Sequence, residues 1–369
     1  MNVARYDYRA QFGETSECLF ADIREMLLSG QYILTDHVSE FERSFADYLG
    51  VPHVKAVNSG TDALLIALRA LDIRLGDEVI TQANTFYATV AAIRHTGATP
   101  VLVDADEESF LIDESQVSSA ITPRTRAIVP VHLYGKPTPM RGLLDLARRK
   151  GVFIIEDAAQ AHGARLDGRR AGSFGDIGCF SFHPSKNLAA AGDGGAIAIG
   201  CGRRAERVRR LRELGQCGQN NHVALGFNSK LDAIQARVLL WKLPQLDTWN
   251  ECRRRIAVIY RERLSKLPIG FQSVTPGEEH VYHLFQIRTK LRDALLDHLQ
   301  RAGIDAVVRY PFPIHLQEAF NDCKWMAGQF PVAERLAKEL LCLPIRPDMS
   351  LEEIDYVCHK LAAFFSNGF

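Results

Sequence analysis

Apolar residues along this chain follow two spacings, and the change from one to the other divides the sequence. Leu19, Phe20, Ile23, Met26 and Leu27, then Val38, Phe41, Phe45 and Tyr48, recur every three or four positions and predict two amphipathic helices ahead of the first strand. From His53 onward, short apolar runs alternate with helical stretches: His53–Val57, Glu78–Thr81, Pro100–Val103, Ala127–Val131, Val152–Ile155, Ile177–Phe182 and Ala196–Ile199. Seven such strands, interleaved with helices such as Asp62–Leu71 and Met140–Lys150, predict an α/β sheet covered on both faces.

Beyond Leu231 the spacing becomes helical, over Leu231–Leu243 and Leu246–Leu267, with an interruption at Pro244 and an end near Pro268. The second of these is the expected bridge between a large domain, 1–245, and a small α+β domain, 246–369. After it come strand-like H-V-Y-H-L-F-Q-I-R from His280, a helix from Arg292 to Ala302, strand-like D-A-V-V-R-Y-P from Asp305, and two closing helices. The last helix opens with Ser350 and Glu353 at capping-box spacing and turns Leu351, Ile354, Val357 and Leu361 inward.

Composition adds mostly exclusions. At 369 residues, 47% hydrophobic and 24% charged, the chain has the usage of an ordinary globular protein with a filled interior. Lys plus Arg equals Asp plus Glu at 44 each, so no global field draws a nucleic acid or an anionic membrane. The basic run Arg203, Arg204, Arg207, Arg209, Arg210 and Arg212 reads as a solvated helical face, or alternatively as a rim that attracts a diphosphate. Eight cysteines lie scattered without a C-x-x-C pair, as expected of reduced cytoplasmic thiols. His280 and His283 point apart if Val281 and Tyr282 lie in a strand, so no metal site is expected. The amino-terminal stretch through Glu14 lacks the apolar core of a signal peptide, and no run approaches the ~20 apolar residues of a spanning helix, so the expectation is a soluble cytoplasmic protein.

Ligands of open α/β sheets gather at the carboxyl ends of strands, and three segments place unusual residues there. V-K-A-V-N-S-G-T-D-A-L ends a strand at Val57, turns through Asn58, Ser59 and Gly60, and begins a helix at Thr61. Free N–H groups and two hydroxyls at a helix start suit a phosphate, although a Ser or Thr there also serves simply as an N-cap. G-V-F-I-I-E-D-A-A-Q-A-H-G-A delivers Glu156 and Asp157 from an apolar strand, with Gln160 and His162 just beyond; such a carboxylate either caps the following turn or holds a cationic heteroaromatic nitrogen. The third segment, C-F-S-F-H-P-S-K-N-L, sets Ser181 at a strand end and Lys186 in the loop that follows. A phosphate nest, a strand-end aspartate and a lone lysine form the minimal kit for pyridoxal phosphate: anchor, pyridinium partner and Schiff-base amine.

The blocks N-S-G-T-D-A-L, G-D-E-V-I-T, N-T-F-Y-A-T, I-T-P-R-T-R-A-I-V-P-V-H-L-Y-G, I-E-D-A-A-Q-A-H-G-A, S-F-H-P-S-K-N-L, G-D-G-G-A and G-F-N-S-K-L-D-A-I-Q-A, in this order, resemble the DegT/DnrJ/EryC1/StrS sugar aminotransferase family over essentially the whole chain. The resemblance implies the fold-type-I pyridoxal phosphate architecture, with a mainly parallel seven-stranded sheet in the large domain. It also implies a homodimer with active sites at the subunit interface, and transfer of an amino group from L-glutamate to a nucleotide-linked ketosugar. Carried over by position, Lys186 is the Schiff-base lysine and Asp157 the pyridinium partner. Gln160 lies near the phenolic oxygen, Gly60, Thr61 and Ser181 hold the phosphate, and Phe86 stacks on the ring, with Tyr87 the neighbouring candidate. Asn228 is expected to reach the phosphate of the partner's cofactor, or else to be a turn residue.

Two positions depart from many relatives: His183 stands where tyrosine is common, and Lys230 where arginine is. His183 is a candidate for substrate contact or proton transfer, and Lys230 for carboxylate or diphosphate binding. Y-P-F-P-I-H-L-Q makes Tyr310 and His315 candidate sugar contacts. N-S-K-L-D, from Asn228 to Asp232, resembles the members that act at carbon 3, with small Ser229 where carbon-4 relatives often place tyrosine. The expected substrate is therefore a dTDP-linked 3-keto-6-deoxyhexose, with a UDP-linked 3-keto sugar or a carbon-4 ketosugar as alternatives. A sugar 3-dehydratase of the same family typically has histidine where Lys186 stands, and a non-catalytic regulator would not need the complete set of Lys186, Asp157, Gln160 and Thr61.

Overall fold

The computed structural model describes residues 1–13 and 16–366; Glu14, which ends the amino-terminal stretch, Thr15 and residues 367–369 lie outside it. Two helices come first, α1 (Glu17–Ser29) and α2 (Asp36–Leu49). Seven strands then build one sheet: β1 (His53–Val57), β2 (Glu78–Gln82), β3 (Thr99–Val103), β4 (Thr125–Val129), β5 (Phe153–Asp157), β6 (Ile177–Ser181) and β7 (Gly195–Ile199), in the order β1-β7-β6-β5-β4-β2-β3. Pairing is parallel from β6 through β3, and β7 alone runs against both of its neighbours. The carboxyl ends of the other six strands therefore share one edge of the sheet. There Val57 and Ser181 both lie opposite Gly195.

Helices α3 (Gly60–Ala70), α4 (Tyr87–His95), α5 (Glu114–Ala120), α6 (Met140–Lys150) and α7 (Gly202–Arg212) connect and cover the strands. The five-residue strands are almost wholly buried, which is why they read as continuous apolar runs. Phe41 and Phe45 of α2 meet Phe180 and Phe182 edge to face at 5.1–5.5 Å. Such pairs contribute ~0.5–1.5 kcal/mol each beyond their buried area. Side chains alternate along a strand, so fixing Phe180 and Phe182 on α2 turns Ser181 to the opposite side.

Pro244 does not part the two helices it separates. Helix α8 (Ala233–Lys242) passes through a 3₁₀ turn, Leu243–Gln245, straight into α9 (Leu246–Leu264), because proline is tolerated at the start of a helical turn. Leu246 packs in the core with Phe41 and Phe182, whereas Ile256, Ala257, Tyr260 and Leu264 pack in a second core with α10 (Arg292–Arg301) and α12 (Leu351–Ser366). A three-stranded antiparallel sheet of Gly270–Phe271, Phe285–Arg288 and Leu340–Leu343 completes that second layer, beside α11 (Pro331–Glu339). Val3 also packs there and bridges to Ile304, so the amino terminus docks on the carboxy-terminal core.

Both strand-like stretches in this half are shorter than the sequence suggests. Only Phe285–Arg288 is strand; Tyr282 takes a left-handed φ of 43° and stacks on His280, while His283 turns to Asn187. The stretch from Asp305 contributes one bridge, Val307 to Cys342. The capping box is as expected, with Ser350 N–H donating to Glu353 at 3.0 Å and Glu353 N–H to Ser350 Oγ at 3.2 Å. Among the described residues no helix is long and apolar enough to cross a membrane.

Candidate active site

The carboxyl edge of the sheet opens into a cavity, and its floor is set by close backbone approach. Ser59 caps α3 by accepting from Asp62 N–H at 3.1 Å. A Cβ on Gly60 would come within 2.5 Å of Ser181 Cβ, and one on Gly195 within 2.3 Å of the Ser59 carbonyl oxygen. Only glycine lets these three segments converge. The result is a helix start whose free N–H groups face the cavity beside Ser59, Thr61 and Ser181.

Asp157 ends β5, buried, with 5% of its surface exposed. Its Oδ2 accepts from Thr89 Oγ1 at 2.8 Å and its Oδ1 from Ala159 N–H at 3.2 Å. Burial raises its pKa, against the opposing pull of Thr89, Ala159 and the Lys186 charge. No cation approaches within ion-pair distance among the described residues, so a protonated ring nitrogen in the cavity would meet an uncompensated carboxylate. Its neighbour Glu156 is spent on structure: it pairs with His132 Nε2 at 2.9 Å and accepts from the N–H groups of Gly172 and Gly175.

Lys186 lines the same cavity, on a loop tied by Lys186 N–H to the His183 carbonyl at 2.8 Å and by Asn187 to Asn250 and the Val281 carbonyl. Burial lowers the Lys186 pKa to about 8; Asp157 opposes the shift and Arg309 adds to it. The amine is thus far easier to deprotonate than a surface lysine, the state in which it attacks an aldehyde. Gln160 accepts from Tyr134 N–H at 2.7 Å and donates to Tyr310 Oη at 2.6 Å, joining the sheet edge to the carboxy-terminal core. Phe86 lines the cavity, 53% exposed, whereas Tyr87 turns away to stack on Phe320 at 5.3 Å. At the rim, His183 Nδ1 accepts from Ser185 N–H, which leaves Nε2 to carry the ring proton; partial burial and then Lys186 lower its pKa.

The cavity thus gathers Gly60, Thr61, Phe86, Asp157, Gln160, Ser181, His183, Lys186 and Tyr310. Asn228 and Lys230 instead line an adjoining polar hollow with Asn58, Asp62 and Asp232, and Ser59 and Asp193 face both spaces. His315 lines neither: it is buried, held by Glu334 at 2.9 Å and packed against Phe330. The alternation of prolines around His315 carried no information about which side it faces. Ser229 is also out of reach, fully buried and exchanging hydrogen bonds with Asn58. The arginines of α7 line neither space, and Arg204, Arg207, Arg209, Arg210 and Arg212 are all paired with carboxylates. His162 is buried between Phe180 and Phe182 and held neutral by that burial, its pKa pushed down to about 3.

Three contributors escaped the sequence reading. Thr89 on α4 anchors Asp157, Asp193 sits inside the glycine cluster after Lys186, and Arg309 enters beside Tyr310. Only Arg309 had a signal of its own, a cation directly preceding a singled-out tyrosine. A phosphate cradle, a buried carboxylate, an amine of lowered pKa and an aromatic side chain, all lining one cavity, fit pyridoxal phosphate in charge and chemistry.

Comparison with known proteins agrees in extent. The profile of the DegT/DnrJ/EryC1/StrS aminotransferase family matches residues 14–362. A dTDP-3-amino-3,4,6-trideoxy-alpha-D-glucose transaminase from Streptomyces venezuelae is 45% identical, over 93% of this chain and 91% of its own. The crystal structure of S. venezuelae DesV, in complex with a ketimine intermediate, superposes with a TM-score of 0.96 at 43% identity over 98% of both chains. NtdA from Bacillus subtilis, with bound cofactor PMP, gives a TM-score of 0.92 at 31% identity, over 99% of this chain and 85% of its own.

Proposed function

From the premise that the chain belongs to the DegT/DnrJ/EryC1/StrS aminotransferase family, we propose that it moves the amino group of L-glutamate to carbon 3 of a dTDP-linked 3-keto-6-deoxyhexose. The observation that carries this is one cavity holding Lys186, Asp157 and the α3 start together. The likeness to a dTDP-3-amino-sugar transaminase supports the choice of carbon and nucleotide.

The chain's own residues divide the work. Gly60, Thr61 and Ser181 would hold the phosphate of pyridoxal phosphate, Asp157 would keep its ring nitrogen protonated, and Gln160 and Phe86 would contact its ring. Bound there, the cofactor supplies an electron sink for the pair left on a carbon that loses its proton. Lys186, with its lowered pKa, would anchor the cofactor through its amine, and the same amine, when free, would move a proton at the donor's α-carbon. His183, with its Nε2 proton at the rim, and Tyr310 contact the sugar. Thr89 holds the Asp157 carboxylate in place.

The second hollow supports a homodimer in which Asn228 and Lys230 serve the partner's cofactor and substrate, since both lie outside the main cavity and Leu225 nearby in sequence is 97% exposed. Sedimentation as a monomer at micromolar concentration would contradict that arrangement. The free thiols of Cys179, Cys201, Cys217, Cys252, Cys323, Cys342 and Cys358 accord with a reducing cytoplasm. The amino transfer is tested with ¹⁵N-labelled glutamate and freshly prepared dTDP-3-keto-6-deoxyhexose: NMR should find ¹⁵N on carbon 3, and a 4-amino product or no transfer would refute the reading.

A further inference from the structure

We propose that Tyr134, acting through Gln160, is a positioning residue that fixes Tyr310 as a hydrogen-bond donor to the sugar, an inference that rests on the sugar-aminotransferase reading and deepens it. Tyr134 sits in the 3₁₀ turn Leu133–Gly135 with a left-handed backbone, φ 65° and ψ 2°. That region is uncommon for a bulky aromatic residue, and glycine would occupy it at least cost. Glycine would lack the anchor, however: the Tyr134 side chain is buried, 1% exposed, and packs with Leu284, Leu336, Leu340 and Cys342. Leu284 N–H ties the same turn to that core by donating to the Tyr134 carbonyl at 3.2 Å. Held in this way, the Tyr134 N–H donates to Gln160 Oε1 at 2.7 Å.

A backbone N–H can only donate, so the amide atom that faces it is the oxygen. Gln160 Nε2 must then face Tyr310, and it donates to the Tyr310 oxygen at 2.6 Å. This is the one hydrogen bond of Tyr310 Oη among the described residues, so the phenolic proton has no acceptor within the protein. Tyr310 lines the cavity, its ring centre 6.2 Å from that of Phe86 and 6.0 Å from that of Tyr134. Burial keeps its hydroxyl protonated, with the pKa pushed up to about 12. An acceptor on the ligand completes the chain: a carbonyl, hydroxyl or ring oxygen of the hexose, and not an ammonium, which has only protons to offer. Were the amide not held, Tyr310 could donate to Gln160 instead and would offer the sugar lone pairs alone. Tyr134 thus sets the sense of a contact that it does not itself make.

The test measures, by calorimetry on holoenzyme, the binding of a dTDP-linked 6-deoxyhexose without a ketone, which does not turn over, and of dTDP alone. Gln160→Glu keeps the shape and reverses the sense, because a carboxylate accepts from both the Tyr134 N–H and the Tyr310 hydroxyl. Gln160→Glu and Tyr310→Phe should each weaken the sugar nucleotide about 3- to 10-fold, the scale of one lost hydrogen bond. The Gln160→Glu loss should vanish in the Tyr310→Phe background, a coupling that a merely structural role would not produce. dTDP, which has no hexose, should bind wild type and Tyr310→Phe alike. An ester in place of the peptide bond ahead of Tyr134, introduced with the α-hydroxy analogue of tyrosine, deletes the N–H alone and should cause the same loss, again only while the Tyr310 hydroxyl is present. Full sugar affinity in Tyr310→Phe, or an equal loss from Gln160→Glu and from the ester with and without that hydroxyl, would overturn the proposal and leave the aminotransferase reading intact. A wild type that moves no labelled nitrogen from glutamate to a ketosugar would overturn that reading, and the proposal with it.

Discussion

Lys186 and Lys242 are both pushed down to about 8, chiefly by burial, yet their surroundings differ in every other respect. Lys242 ends α8 beneath the amino-terminal segment, donating to Gln11 at 3.0 Å with its ammonium 4.6 Å from the Phe12 ring centre. It faces no cavity. Lys186 lines a cavity that it shares with a buried carboxylate and a phosphate cradle. A depressed pKa records what burial costs a charge; chemistry needs space for a reactant and complementary groups around that space. The two regions share the first property and only one has the second.

The largest expected effect falls on the reactive member of the pair. Lys186→Ala should lower amino transfer by at least ~10³-fold, the scale of a lost proton carrier, and abolish the visible absorbance of covalently held cofactor while the protein stays folded. Asp157→Asn should cost ~10²–10³-fold, as expected for a single preorganised electrostatic partner, with kcat reduced rather than the sugar KM raised. Thr89→Val removes the hydroxyl that donates to Asp157, a bond to a charged group, and should cost about tenfold.

The smallest effects belong to Lys242, where the comparison is sharpened by pH. Each lysine has a folded-state pKa of about 8 against an ordinary 10.5. Across that window the unfolded chain binds more protons than the folded one, so cofactor-free protein should gain stability as pH rises from about 8 towards 10.5. Denaturant unfolding at a series of pH values should show this gain reduced, not abolished, in Lys242→Met, because Lys186 still contributes. Transfer activity of Lys242→Met should stay within about twofold of wild type. A loss of activity comparable with Lys186→Ala would erase the distinction between the two regions.

The same contrast explains what the sequence could reveal. The seven strands were legible because each is a short, mostly buried apolar run, the inner ones buried on both faces, bounded by helices with clear periodicity. The carboxy-terminal strands were not, since elements of two to four residues share their apolar character with irregular backbone such as His280–Leu284. Residues at strand ends, Asp157 and Ser181, were readable because topology alone brings such ends together. Arg309 arrives from a distant segment, 123 positions after Lys186, and its one local mark is its place directly before Tyr310. His315 shares its segment with Tyr310 and faces the other way, a matter settled by packing on Phe330 and Glu334. Ser229 teaches the subtler point: the carbon-3 reading stands beside a serine that supports Asn58 and lines neither space.

The central claim is that Lys186, and not the equally perturbed Lys242, is the amine that holds the cofactor. Borohydride reduction of the holoenzyme, followed by proteolysis and peptide mass mapping, tests it in a single measurement. The phosphopyridoxyl mass should appear on the peptide carrying Lys186 and leave Lys242 unmodified. Label on Lys242 or any other lysine, with Lys186 recovered unmodified, would contradict the account.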